Sequence, residues 1–227
     1  MTRSKSLRNA DGKINRENRY KIEEAVKLMT DCSTVKFDAT TEVHFTLGIN
    51  PKHADQQIRS NVSLPNGTGK DVRVVVFCSE EKMAEAKAAG ADEVGSEELI
   101  EKVSKGWTDF DVVVATPAIM RHLAKAARVL GPKGLMPSPK AGTVTPNIDK
   151  TVKELKAGRL EIRNDKSGII HTVFGKLSFG EKKLVENLEK MIQTIMDVKP
   201  SGQKGEYIKN ISINSTMGAG IKIEIPN

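Results

Sequence analysis

The chain has 227 residues, of which 38% are hydrophobic and 29% charged, and its net charge is +7. This composition excludes a disordered or fibrous protein, and the length allows one large domain or two small ones. The longest apolar run, residues 74–78, is far shorter than the roughly 20 residues of a membrane span. With only two cysteines and no secretory signal, the chain is expected to be soluble and cytoplasmic.

The charge pattern favours a polyanionic partner. A basic balance suits nucleic acid, although the net charge alone fits a solvated surface equally well. Residues 80–111 carry ten acidic side chains against four basic ones, whereas residues 1–21 and 112–159 are basic. This segregation predicts an acidic layer of helices beside a basic one. Because aromatic residues make up only 4% of the chain, contacts to phosphates, sugars and RNA shape should outweigh base stacking.

The first flank predicts one amphipathic helix and one half-exposed strand. Apolar residues recur at helical spacing over residues 15–31, and they alternate with polar residues from Glu42 to Ile49. The alternation places Val43 and Phe45 on one face of the strand and Glu42 and His44 on the other.

In the middle of the chain, strands and helices alternate. The Val-rich runs at residues 72–78 and 111–115 are typical of strands covered on both faces. Helices are predicted at about residues 80–89, 96–106, 117–130 and 146–158. Thr116 and Pro117 provide an N-cap and a first-turn proline for the third of them. The pattern predicts an inserted doubly wound parallel (Rossmann-like) α/β domain.

The second flank predicts a strand pair at residues 159–164 and 168–176, a helix at residues 181–197 and two final strands. Neither flank alone can enclose a core. The fold class is therefore α/β (α+β), with residues 1–66 plus 159–227 as a discontinuous split α+β domain and residues 67–158 inserted. The two crossings, at Gly67 and Gly69 and near Gly158, predict a hinge.

Catalytic and cofactor motifs are missing from the sequence. Residues 67–70 resemble the end of a phosphate-binding loop, but Asp71 occupies the position of its Ser/Thr. The turn after the first buried strand lacks the glycine fingerprint for dinucleotides, and the histidines have no metal-ligand spacing. We therefore predict no cofactor, no metal and no enzyme activity. The alternative is a nucleotide-binding α/β enzyme that uses the inserted domain.

Two loops have unusual composition. Residues 131–142 (GPKGLMPSPKAG) form either a stiff loop that presents Lys133 and Lys140 or a rigid connector, and composition favours neither. Residues 215–220 (STMGAG) would let the backbone approach a phosphate or ribose closely. The simpler interpretation of this second loop is an ordinary connection between two strands.

These segments carry a family resemblance. GPKGLMPSPKAGTV at residues 131–144 is similar to the signature of the L-one family of large-subunit ribosomal proteins, of bacterial type. Residues 64–77 (LPNGTGKDVRVVVF), 152–158 (VKELKAG), 163–176 (RNDKSGIIHTVFGK) and 215–220 also resemble family segments, in family order. The resemblance covers nearly the whole chain, and it implies two α/β domains, the second inserted in the first.

The resemblance also implies a function. It predicts a non-enzymatic rRNA-binding protein of the mobile stalk near the exit site, which assists release of deacylated tRNA and represses translation of its own operon mRNA. The expected partners are large-subunit rRNA, exit-site tRNA and that mRNA, for a ribosome-associated protein that is monomeric when free. A free-standing translational repressor would use the same RNA surface. The implied RNA site lies on the split domain, at Lys36, Phe37 and Thr40, at Lys166, Ser167, Gly168 and His171, and at Ser215, Thr216, Met217 and Gly218.

Overall fold

The computed structural model describes residues 8–10 and 12–225, and it divides into two compact units. One unit combines Met1–Gly69 with Glu161–Asn227, and the other is Lys70–Leu160. The predicted divisions, after residues 66 and 158, lie within three residues of these bounds. Residues 1–7 and Asp11 of the basic N-terminal segment lie outside the described residues.

The secondary structure consists of strands, α-helices and short 3₁₀ turns. In chain order, the strands are β1 (Thr40–Leu47), β2 (Arg59–Ser63), β3 (Val74–Phe77), β4 (Glu93–Gly95), β5 (Val112–Ala115), β6 (Arg159–Arg163), β7 (Ile169–Lys176), β8 (Ile208–Ser215) and β9 (Ile221–Ile223). The α-helices are α1 (Ile22–Asp31), α2 (Met83–Ala88), α3 (Glu97–Ser104), α4 (Met120–Leu123), α5 (Ala127–Leu130), α6 (Ile148–Lys156) and α7 (Glu181–Asp197).

The split unit is built on an antiparallel sheet in the order β7-β1-β8-β9. Along β1, buried residues alternate with half-buried ones, because successive side chains of a strand point to opposite faces. Helices α1 and α7 pack together and against this sheet. The inner face includes Val43, Phe45, Ile170, Ile211 and Ile213, all fully buried. The opposite face carries polar side chains, so the sheet has one apolar and one polar side.

Two local predictions in this unit are wrong. The first helix begins at Ile22 rather than near residue 15, because Tyr20 is extended and pairs with Ile223 at the edge of the sheet. The predicted pairing of β6 with β7 is replaced by β6 with β2 and β7 with β1, which leaves only an isolated bridge between Asn164 and Ile170. In both cases pairing with a distant strand overrides the local pattern.

The second unit is a parallel sheet in the order β4-β3-β5 with helices on both faces. Val75 and Phe77 of β3 pack against α3, α4 and α5, whereas Val74 and Val76 pack against α2 and α6. Each face therefore has its own core, as the continuous apolar run of β3 predicts. The predicted fold class, a mixed α/β fold with a parallel and an antiparallel part, is confirmed.

Two predictions for this unit need correction. The helix predicted over residues 117–130 is α4 and α5 separated by a 3₁₀ turn, Ala124–Ala126, and Thr116 makes no side-chain cap. A 3.6-residue apolar period cannot distinguish one α-helical turn from one 3₁₀ turn. The acidic and basic helices do not form separate layers either. Each face combines a helix of the acidic segment 80–111 with helices of the basic segment 112–159, α2 beside α6 and α3 beside α4 and α5.

Acidic and basic side chains consequently meet within each layer. On one face Lys156 of α6 lies 3.2 Å from the carboxylate of Asp92, and on the other His122 of α4 lies 2.8 Å from that of Glu97. No helix in residues 8–10 and 12–225 has the length and apolar character needed to cross a membrane.

The division into units predicts that the flanks fold without the middle. We expect a chain in which residues 70–160 are replaced by a short Gly-containing link to unfold cooperatively, because the four-stranded sheet and both helices packed on it remain. Circular dichroism and amide NMR dispersion measure this, and deletion of the central strand β1 provides a control that should not fold. A disordered joined flank would show that the inserted unit is needed for folding.

Candidate nucleic-acid interface

The polar side of the four-stranded sheet forms a continuous surface, which we call the open face. The register places Glu42 beside Asn214, His44 between His171 and Ser212, and Thr46 beside Asn210. The open face consists of Thr40, Glu42, His44 and Thr46 of β1, Ile169, His171 and Val173 of β7, Asn210, Ser212 and Asn214 of β8, and Lys222 of β9. Its centre is rich in neutral hydrogen-bonding groups, and lysines lie toward its margins.

At one end of the open face, the first and third predicted groups meet. Both the backbone amide and the hydroxyl of Thr216 donate to the carbonyl of Thr40, at 3.0 and 3.2 Å. Lys36 and Phe37 belong to the segment before β1, which is fixed where the carboxylate of Asp38 accepts from the amide and hydroxyl of Ser178. Lys36 is exposed, so its charge is available to a ligand.

The turn after β8 is conformationally costly. Met217 has a φ of 65°, in the left-handed region that residues other than glycine rarely adopt, and it is 77% exposed. Phe37, at the same end of the sheet, is 57% exposed. A strained backbone that holds a large apolar side chain in solvent stabilises nothing in the free protein. This combination indicates a surface completed by a partner.

Close contacts between Ser215 and Gly218 shape this turn. The amide of Gly218 donates to the carbonyl of Ser215 at 2.7 Å, and a Cβ on Gly218 would lie 2.4 Å from the Ser215 hydroxyl. Only glycine fits such a close approach. Ser215 itself is buried, so within the predicted site it shapes the turn and does not lie on the surface. Within residues 8–10 and 12–225, its hydroxyl and that of Thr41, opposite it on β1, have no hydrogen-bond partner.

The second predicted group lies at the other end of β7. One carboxylate oxygen of Asp165 accepts from the amides of Ser167 and Ile169, at 2.8 and 2.7 Å, and this closes the turn. Gly168 has a φ of 80° and is buried, while Lys166 and Ser167 are exposed at the tip. At about 3.4 Å per residue, this tip is roughly 20 Å along the sheet from the Thr216 turn.

The amide hydrogen bonds have an electrostatic consequence for Asp165. The pKa of the Asp165 carboxyl lies below its usual range, and the largest cause is the hydrogen bond from the amide of Ile169. The amides of Ser167 and Gly168 and the nearby His171 also lower it. Burial opposes this shift only in part. The Asp165 side chain therefore stays negatively charged throughout the neutral pH range.

His171 lies between the two ends and is paired with a residue that sequence reasoning did not place in the site. Its Nδ1 lies 2.8 Å from Nδ1 of His44, whose Nε2 lies 2.7 Å from Oδ1 of Asn214. The alternation along β1 indicates that His44 points to the open face. Its partners depend on the register of β1 with β7 and β8, which no local pattern specifies.

The predicted secondary loop lies in the inserted unit. Leu135 and Met136 pack against one core of that unit, and the loop closes where the Ser138 amide donates to the Thr143 hydroxyl at 2.9 Å. Lys133 and Lys140 are exposed, and Lys133 also donates to the hydroxyl of Thr108. The loop is thus both a rigid connector and a platform for two lysines.

The predicted hinge glycines adopt conformations suited to glycine. Gly67, Gly69 and Gly158 have φ values of 68°, 72° and 104°. The buried side chain of Asn187 donates to the carbonyls of Gly67 and Phe174, at 3.0 and 2.8 Å, and fixes the first crossing to the split unit. Hinge motion at these glycines stays a prediction.

The structure does not support a nucleotide site at residues 67–70. A phosphate-binding loop opens a helix, whereas this segment leads into strand β3, and Lys70 lies 2.5 Å from the Asp111 carboxylate. Within the described part of the chain, no group of three or more His, Cys, Asp or Glu side chains is arranged to hold a metal ion.

Residues 28–219 match the ribosomal protein L1p/L10e family. The chain belongs to this family. It is 51% identical to large ribosomal subunit protein uL1 of Chlorobaculum tepidum over 220 residues, which cover 97% of this chain and 95% of that protein. It is 52% identical to the protein of the same name from Macrococcus caseolyticus over 222 residues, 98% of this chain and 96% of that protein.

Membership of the L1p/L10e family confirms the resemblance carried by the sequence segments. It also confirms that the chain is not an enzyme, because members of this family are structural proteins of the ribosome. Streptomyces griseus provides a further relative, also named large ribosomal subunit protein uL1, at 51% identity over 99% of this chain and 93% of that protein.

The strained turn generates a prediction that separates stability from binding. Met217→Gly should change the free energy of unfolding by less than about 1 kcal/mol, because relief of the left-handed strain offsets the added freedom of the unfolded chain. Its affinity for purified large-subunit rRNA should fall about tenfold if the side chain is buried in the complex. Denaturant titration and filter binding measure the two quantities.

Met196→Ala is the matched control, since Met196 is also an exposed methionine but lies on α7. It should bind RNA like the native protein. Native affinity in Met217→Gly would remove Met217 from the interface.

Asp165 generates a prediction about acid stability. A pKa lowered by folding means that the carboxylate stabilises the native state above about pH 4, and that this contribution is lost as pH falls through the native pKa. Asp165→Asn should therefore reduce stability at pH 7 and show a weaker acid dependence below pH 4. The side chain is over a third exposed, so the effect should be under about 1 kcal/mol. Equal acid dependence in thermal melts of both proteins would contradict this.

Proposed function

We propose that this protein is a structural component of the large ribosomal subunit and that its open face binds large-subunit rRNA. The observation that carries the proposal is the turn at Met217. An apolar side chain is held in solvent there by a strained backbone, at the same end of the sheet as the exposed Phe37. In the free protein this arrangement costs free energy, and burial against a partner would recover it.

The chemistry of the open face suits RNA. Exposed Lys36 and Lys166 at its two ends provide phosphate contacts, which set affinity and register. Neutral groups between them, such as Ser212 and Asn214, can bind ribose hydroxyls and base edges. The relatives' name, large ribosomal subunit protein uL1, identifies the assembly in which such a surface would act.

The finer roles implied by the family resemblance belong to the same proposal. The protein would form the mobile stalk near the exit site, assist release of deacylated tRNA and repress translation of its own operon mRNA through the open face. Gly67, Gly69 and Gly158 would be its hinge, and Lys133 and Lys140 a second RNA contact. It would be cytoplasmic, ribosome-associated and monomeric when free.

Salt dependence tests the phosphate contacts. Lys36→Gln and Lys166→Gln should each reduce the slope of log affinity against log salt by about 0.7 to 0.9 for binding to purified large-subunit rRNA. Lys190→Gln is the control, because Lys190 is exposed on α7, which packs on the other side of the sheet. Unchanged slopes in the first two variants would show that these lysines face solvent in the complex.

Co-sedimentation distinguishes a ribosomal protein from a free-standing repressor with the same RNA surface. The tagged full-length chain should co-sediment with large subunits from its own cells. Binding to the operon mRNA without co-sedimentation would favour the repressor and contradict the ribosomal role.

A further inference from the structure

The two histidines on the open face have a defined protonation pattern. The amide nitrogen of Asn214 donates to the carbonyl of Ser215, at 3.4 Å, so its oxygen faces Nε2 of His44. That oxygen only accepts, and Nε2 of His44 must therefore carry the proton. Nδ1 of a neutral His44 is then an acceptor, and the Nδ1–H of His171 donates a hydrogen bond to it.

This chain of hydrogen bonds directs any added proton to a single atom. Nδ1 of His171 is committed to His44, so its Nε2 is the remaining basic nitrogen of the pair. A proton added to Nδ1 of His44 instead would make both Nδ1 atoms donors, and two N–H groups would face each other across 2.8 Å. An added proton would therefore place its charge on His171, whose side chain is 55% exposed on the edge strand β7, between the two ends of the open face.

Acidic side chains lie near both histidines. Asp165, in the turn before β7, has a carboxylate oxygen 3.8 Å from Nε2 of His171, and Glu42 on β1 has one 3.9 Å from Nε2 of His44. Lys166 lies in the same turn as Asp165, Lys176 lies further along β7, and Lys222 lies on the opposite edge strand β9. Lys166 and Lys222 are exposed. The open face thus has His171 on one edge strand and Lys222 on the other.

We propose that His44 and Asn214 are positioning residues that hold His171 as a proton-dependent contact for a backbone phosphate of the bound RNA. This inference rests on the proposed function, since it assigns a phosphate to the β7 edge of the same surface. Neutral His171 would present a lone pair to the phosphate and repel it. Protonated His171 presents an N–H donor and a positive charge, which is the stronger kind of hydrogen bond.

The sign of the pH effect follows from this preference. A ligand that favours the protonated form binds more tightly as pH falls, and histidine is the side chain whose charge changes between pH 5 and 8. One more phosphate is neutralised at low pH, so the salt slope should be steeper by about 0.7 to 0.9 there. A histidine with a merely structural role would change neither quantity.

The experiment measures binding of the full-length chain to purified large-subunit rRNA at pH 6.0 and pH 8.0, over a range of salt. The native protein should bind about five- to tenfold more tightly at pH 6.0, the gain expected for one charge-assisted contact. His171→Gln should lose both the pH effect and the change of slope. His53→Gln is the control, because His53 is exposed in a loop outside the open face, and it should keep both.

Two variants of His44 test the positioning role. His44→Phe removes the acceptor for His171 and should reduce the pH effect to less than about half. His44→Asn places an amide oxygen near the position of Nδ1 and should restore part of it. Should His44→Phe fail to fold, as judged by circular dichroism, His171→Gln and His44→Asn still decide the question.

The outcomes separate the two proposals. RNA binding with the same affinity at both pH values, or a pH effect that persists in His171→Gln, would overturn the histidine proposal and leave the RNA site intact. Absence of RNA binding by the native protein at both pH values would overturn the proposed function, and the histidine proposal with it.

Discussion

The pairing of strand β1 with both β7 and β8 is the constraint on which the split unit depends. It joins segments far apart in sequence, since His44 meets a residue 127 positions away and Thr40 one 176 positions away. Because β1 is central, its alternation fixes both faces of the sheet at once. Helices α1 and α7 cover the apolar face, whereas the polar face is not covered by them. A slip of one residue would exchange the two faces.

This pairing also explains how the fold accommodates an inserted unit. The split unit's hydrophobic face is completed by strands from both flanks, so the chain can leave after Gly69 and return at Glu161 without interrupting a core. The inserted unit has two cores of its own, one on each face of its parallel sheet. Helices from its acidic and basic segments are paired within each layer, which places acidic and basic side chains next to each other on both faces.

The features that cost stability are concentrated at one end of the open face. Met217 has a strained backbone and an exposed side chain, Gly218 is confined by Ser215, and two buried hydroxyls, those of Thr41 and Ser215, lack partners. Elsewhere in the split unit, the turn at Asp165 and the crossing held by Asn187 have their polar groups paired. Oε1 of the buried Gln203 is one exception, with no partner in the described part of the chain. A strained backbone and unpaired hydroxyls at one end of a surface, beside hydrogen-bonded polar groups elsewhere, are the pattern expected where structure is maintained for binding.

By itself, the sequence determined the fold class, the alternating units of the middle segment and the bounds of α7. These features depend on periodicity over short stretches of the chain. The segments that resemble the family then indicated a candidate site. It did not determine strand partners. Tyr20 and β6 were mispredicted because each pairs with a segment that is distant in the chain, and the contacts of His44 with His171 and Asn214 arise in the same way. Only the tertiary structure decided those, since hydrogen-bonding partners across a sheet are selected by the packing of a whole face and not by the residues beside them.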